Sequence, residues 1–128
     1  LTFSLLTAIG AVYGGEGLVR TIHLAAQHYL DSLEPKPLPR RAGFEQRVQA
    51  LLLVLDGLYA FPQLEIDGRQ HTIAVRNCVF QTEVAGRFPQ VYEFYRGLAE
   101  ALLGRPVELQ EPSAADPRGT CFLRFSRP

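Results

Sequence analysis

Asp67-Gly68 lies at the centre of a stretch, "LYAFPQLEIDGRQHTIAVR" (58–76), whose apolar residues recur at every second position. An Asp-Gly pair between two alternating runs is the strongest short-range signal for a β-hairpin. Pairing outward from a two-residue Asp67-Gly68 turn sets Ile66 beside Arg69, Leu64 beside His71, Pro62 beside Ile73 and Ala60 beside Val75. One face then collects Ala60, Pro62, Leu64, Ile66, Ile73 and Val75, and the other carries Gln63, Glu65, Gln70 and Thr72. A sheet with one dry and one wet face is covered on one side only, which points to antiparallel strands beneath a helical layer.

The flanking sequence supplies that layer. Phe3, Leu6, Ile9 and Tyr13 follow a helical spacing that "YGGEG" interrupts, so a break is expected at Gly14–Gly15. The spacing resumes through Leu18, Ile22, Ala26, Tyr29 and Leu33. Prolines 35, 37 and 39 then exclude helix from "EPKPLPRRAG" (34–43), read as an extended linker. A third helix, Phe44 to about Leu55, carries "VQALLLVL", a run expected to be buried on more than one side. Beyond the hairpin, "CVFQTEVAG" reads as a short helix closed by Gly86. "FPQVYEFYRGLAEALLG" (88–104) reads as a proline-led helix stopped by Gly104. "PVELQ" and "TCFLRFS" follow as strands, the second with Cys121, Leu123 and Phe125 on one face. The order ααα-ββ-αα-ββ defines an α+β domain with a mainly antiparallel four-stranded sheet. We read one domain over 1–128, with a helical region at 1–57 that contains the linker 34–43 and an α+β region at 58–128.

Composition narrows the function classes. Thirteen lysines and arginines balance thirteen aspartates and glutamates, so no net field draws the chain to nucleic acid or an anionic membrane. The basic "KPLPRR" is read as a solvated loop. The opening "LTFSLLTAIGAVYGG" lacks the charged start of a signal peptide and is too short and glycine-broken to span a bilayer. The chain begins at Leu1 without any methionine, which reads as a piece of a longer or processed protein. Two cysteines make no disulfide framework, so a reducing, cytoplasmic compartment is expected.

Chemistry-bearing residues are few. Cys78 and Cys121 stand 43 apart without Cys-x-x-Cys pairing, and from spacing alone they read as small buried side chains. Metal ligation by Cys78 and Cys121 is the competing reading, since thiolates bind zinc and iron–sulfur clusters. His23 and His28 fall on different edges of one helix, and His71 is expected half-buried at a sheet edge. The sequence holds no nucleophile elbow, zinc-protease motif, P-loop or dinucleotide fingerprint, so no enzyme is expected. Tyr92, Tyr95, Phe122 and Phe125, together with Phe94, form a candidate apolar pocket between helix and sheet. The same composition equally makes a filled core.

The carboxy-terminal half has a recognisable outline: Asn-Cys-x-Phe (77–80), the proline-led helix, "RPVELQEP" (105–112) and Gly-x-Cys-Phe (119–122). With the preceding "AIGAVYGGEGLVRTIHLAAQHYL", it resembles the effector domain of bacterial winged-helix regulators of the ArsR/DeoR-like type. The branch is the one containing the repressor of iron–sulfur cluster assembly, and vinyl-reductase-type ligand-binding domains are relatives. The resemblance implies a sensing and dimerisation domain of a transcriptional regulator. It also implies that Cys78 and Cys121 fall on two of the family's cluster-ligand positions. Two further family cysteines have no counterpart in "QVYEF" or "LQEPSAAD", so no cofactor is expected, with an iron–sulfur cluster kept as the alternative. No helix-turn-helix with basic recognition residues is present, so DNA binding is not assigned to these residues. The expected partners are a second copy of the chain, through Leu5, Leu6 and Ile9 of the first helix, and a small-molecule effector. A vinyl-reductase-type domain binding a small apolar ligand is the remaining alternative.

Overall fold

A bend at Gly14 divides the first helix. The computed structural model describes residues 2–77, 82–116 and 119–128. In it α1 (Thr2–Ser32) consists of two helical arms meeting at Gly14, whose φ of 73° and ψ of −179° lie where only glycine is unstrained. The expected break is therefore present, as a kink from which the chain re-enters helix at once. Residues 33–43 form no regular element, and α2 (Phe44–Gly57) follows. Gln46 Oε1 accepts a hydrogen bond from the Gly43 amide at 3.0 Å, one half of a capping box. Val48, Ala50, Leu51, Val54 and Leu55 are buried, but Leu53 is 71% exposed. The nearly all-apolar helix thus buries one broad face instead of being enclosed, because no described residue lies over its outer side.

The hairpin consists of β1 (Gln63–Asp67) and β2 (Gln70–Val75), paired Asp67 with Gln70, Ile66 with His71 and Leu64 with Ile73. The turn residues are Gly68 and Arg69, not Asp67 and Gly68. Gly68 has φ 61° while Arg69 is not among the positive-φ residues. A two-residue turn with positive φ only at its first central position needs glycine there, and that requirement moves the turn one residue along. Both strands shift together, so the faces keep their parity: Leu64, Ile73 and Val75 stay on the covered face, but Ile66, beside the turn, is 60% exposed and corrects the expectation of a dry face along the whole of β1. Phe61 (φ 47°) and Tyr59 (φ 58°) break the extended run, so Pro62 and Ala60 lie outside β1. The Ala60 carbonyl instead accepts the Arg76 and Asn77 amides.

After the hairpin come α3 (Thr82–Arg87), a 3₁₀ turn at Pro89–Tyr92 and α4 (Glu93–Leu103). Gly86 lies inside α3 and does not close it; the helix runs on to Arg87, two residues before Pro89, where the residue preceding a proline disfavours helix. Gly104 stops α4 in the left-handed conformation, φ 67°. β3 (Glu108–Gln110) and β4 (Cys121–Ser126) complete an antiparallel sheet of order β1-β2-β4-β3. The protein is α+β, with its helices over one face of a four-stranded antiparallel sheet.

The core lies between α4 and that sheet face. Tyr95, Leu98 and Ala99 of α4 are fully buried with Ile73 and Val75 of β2 and Cys121, Leu123 and Phe125 of β4. α1 and α2 flank α4. Arg47 of α2 donates from Nε to the Ala42 carbonyl (3.2 Å) and from Nη1 to the Leu102 carbonyl (2.9 Å). It thereby places a cation on an orphan carbonyl at the negative end of α4. On the other flank, a Cβ at Gly97 would stand 3.0 Å from Ala26 Cβ and 3.4 Å from His23 Cα. Neither atom can retreat without moving the α1 backbone, so Gly97 sets how closely α1 and α4 approach. No helix among the described residues is long and apolar enough to cross a membrane.

Two glycine-to-alanine changes should therefore have opposite signs. Both gain up to about 1 kcal/mol of helix propensity. Gly97→Ala should nevertheless lose about 1–2 kcal/mol net by forcing the helices apart. Gly10→Ala, where nothing lies within 4 Å of the new carbon, should gain. Urea unfolding of the two variants measures the difference.

Candidate functional site

α4 lies between two open grooves, and a continuous chain of polar contacts connects them. On the α1 side, His23 Nε2 lies 2.8 Å from Glu93 Oε2, 70 residues away in sequence. Because a carboxylate accepts, Nε2 carries the proton of that bond. Arg96 donates from Nη1 to Glu93 Oε1 at 3.3 Å, and its Nε stands 3.8 Å from Glu100 Oε1. Glu100 Oε2 accepts the Val107 amide at 3.0 Å, just before β3. The helix period makes this possible: residues 93, 96 and 100 are spaced i, i+3 and i+7 and share one side of α4.

The first groove, about 470 Å³, runs between α1 and α4 and is lined by Arg20, His23, Leu24, Gln27 and Glu100, with Gly97 at the close approach. It shares Arg20 and His23 with a second hollow of about 570 Å³ that extends toward Gly15 and Gln90. The Gln90 amide oxygen is buried there without a hydrogen-bond partner among the described residues. An imidazole oriented by a carboxylate, together with Arg20, Gln27 and Glu100, gives the α1–α4 groove hydrogen-bonding groups on a partly apolar wall. Beyond Arg96, a groove of about 510 Å³ extends toward the start of β3, with Arg105, Arg124 and Ser126 in its lining.

The residues singled out from sequence fall elsewhere. Cys121 is buried, paired in register with Val75 on the face beneath the helices, while Cys78 lies outside the described residues. Among the described residues no three or more of histidine, cysteine, aspartate and glutamate are grouped to hold a metal. Tyr92, Tyr95 and Phe125 are buried in the core. Phe122 cannot share a pocket wall with Phe125, because odd spacing along β4 turns it to the opposite face, beneath the Arg124 guanidinium.

His71 is a correction as well. β2 is a central strand, so this side chain is buried rather than half-buried at an edge. Its Nδ1 donates to the Arg69 carbonyl at 3.2 Å, and its ring stacks on Phe125 with centroids 5.4 Å apart.

Sequence reasoning missed the His23–Glu93 pair. The available signal was that His23 shares a helix side with Ala26 and Leu30, both buried. That phase carries a polar group into the α1–α4 seam. No family model matches the sequence, and no curated protein matches it either.

Glu93→Gln should remove one charge from the His23–Glu93–Arg96 chain and cost about 1 kcal/mol, a half-buried pair being worth little more. Chemical denaturation against Glu45→Gln, which breaks only an exposed pair with Arg127, separates the seam from the surface.

Proposed function

We propose that the chain is the sensing and dimerisation domain of a bacterial transcriptional regulator, acting in the cytoplasm without catalysing a reaction. Its DNA-binding winged helix would belong to another region of the protein. The resemblance of the 77–122 outline to winged-helix effector domains gives the class. The observation that carries the reading is the amino-terminal arm of α1.

Leu5, Val12 and Tyr13 are 57%, 71% and 67% exposed. Leu5 and Val12, two turns apart, lie on one side of the arm. Phe3, Leu6 and Ile9, on the other side, pack against the chain's own core. The arm is thus anchored along one side and apolar along the other, and a two-fold copy of itself is the simplest cover for that side. Of the three residues first expected at the contact, only Leu5 is turned outward; Leu6 and Ile9 serve the domain itself.

An effector would act by preferring one arrangement of the paired arms over another. The groove between α1 and α4 suits that role, since its ligand would touch the helix that carries the dimer contact. Sedimentation velocity tests the reading. The wild-type protein should be dimeric at tens of micromolar, and Leu5→Glu/Val12→Glu monomeric with an unchanged circular dichroism spectrum. A wild-type monomer at those concentrations contradicts the proposal.

A further inference from the structure

We propose that the arm of α1 ahead of Gly14 is a hinged strap, exchanging between its docked, bent position and a straight continuation of the helix. The kink makes two separate demands for glycine. Gly14, with φ 73° and ψ −179°, occupies a region essentially closed to residues with a Cβ. Three residues on, a Cβ at Gly17 would stand 2.3 Å from Tyr13 Cβ, a separation that Cβ atoms do not reach. In a regular helix, Cβ atoms four residues apart are about 5–6 Å from one another. Apart from the Tyr13 side chain, no atom outside the helix's own backbone lies within 4 Å of that position, so the arm itself is the obstacle. The bent state therefore admits no side chain at 14 or 17, whereas a straight helix admits both. Gly15 differs: its φ is not positive, and an added Cβ meets nothing within 4 Å.

The strap is lightly held. Phe3, near its tip, packs on Phe88 with ring centroids 6.1 Å apart. The Arg87 guanidinium clasps both rings, 5.0 Å from the Phe3 centroid and 5.8 Å from that of Phe88. Phe3, Leu6 and Ile9 are only partly buried against the core. Among the described residues the buried apolar side chains of α1 are Leu18, Ile22, Ala26 and Leu30, all beyond the kink. A firmly anchored body thus carries a marginally docked arm, the kind of segment that opens first.

Within Thr2–Ser32 only Gly14 departs from helical dihedrals, so rotation at this one residue straightens the arm. Straightening withdraws Phe3, Leu6 and Ile9 from the core and restores the regular i→i−4 ladder through residue 14. Loss of packing and gain of helix oppose each other, which makes the arm a two-position element. The strap is a property of one chain and holds whether or not that chain dimerises. Its regulatory use rests on the reading of the arm as the dimer contact. The docked strap offers a second copy its outer side, with Leu5 and Val12; the straight strap offers Phe3, Leu6 and Ile9 as well. An effector that favours either position then sets how much apolar surface the arm presents.

Nuclear magnetic resonance of the whole chain tests the strap. Wild-type protein should show nuclear Overhauser contacts between Tyr13 and Gly17 and between Phe3 and Phe88. Relaxation dispersion on the microsecond-to-millisecond scale should be concentrated in the arm and hinge. Gly17→Ala and Gly14→Ala should each lose the Phe3–Phe88 contacts and give helical Cα shifts through residue 14, with the shifts of α4 and β4 unchanged. Gly15→Ala should keep the contacts, and Arg87→Ala, which loosens the clasp but leaves the hinge intact, should weaken them. Should one hinge variant fail to fold, the other decides. Phe3–Phe88 contacts of wild-type strength in Gly17→Ala or Gly14→Ala overturn the proposal, as does a wild-type arm without dispersion or an equal loss in Gly15→Ala. A monomeric wild type in sedimentation, with the resonance results as expected, removes the dimer reading and leaves the strap.

Discussion

The close approach of α4 to α1 at Gly97 is the constraint on which the rest of the molecule depends. With Ala26 Cβ only 3.0 Å from where a Gly97 Cβ would stand, the two helices meet nearly backbone to backbone. That contact fixes the distance over which His23 reaches Glu93, and hence the position of Arg96 beyond it. It also frees the opposite side of α4, where Tyr95 and Leu98 are buried over the sheet. Burying side chains of this size contributes about 1.5–3 kcal/mol each. Arg47 holds the carboxy-terminal end of the same helix from α2. One eleven-residue helix is thus contacted from three directions.

Much of the fold was legible because periodicity survives local error. The hairpin register shifted by two, yet Leu64, Ile73 and Val75 remained on the dry face, since a shift by an even number preserves parity. Gly14, Gly104 and the alternating Cys121, Leu123 and Phe125 were equally readable, each reporting a conformation or burial set by its own segment. What failed to be legible depended on contacts between segments. Leu53 is exposed only because no described element covers that side of α2, and His71 is buried only because β4 pairs beside β2. Candidate-site residues belonged wholly to this second kind. His23 and Glu93 are 70 positions apart, and Arg96, Arg105 and Arg124 carry no common spacing.

The functional reading rests on division of labour between the two ends of this framework. The arm ahead of Gly14 is amphipathic in an unusual sense, apolar both where it meets its own core and where it faces outward. The body around α4 carries the polar grooves, whose groups are tied to one another from His23 through Glu100 to the start of β3. The proposed sensor reading would use the first feature for pairing and the second for an effector. The two grooves differ in charge character. That on the α1 side is lined by Arg20, His23 and Glu100, and that near β3 by Arg96, Arg105, Arg124 and Glu108.

Pressed between α1 and the sheet, α4 should be the last of the described segments to open. Native-state amide hydrogen exchange measures this directly. The account predicts that amides of Tyr95–Leu102 exchange only through global unfolding, while those of the α1 arm before Gly14 exchange through smaller openings. Exchange of the Tyr95–Leu102 amides as fast as that of the arm would contradict it.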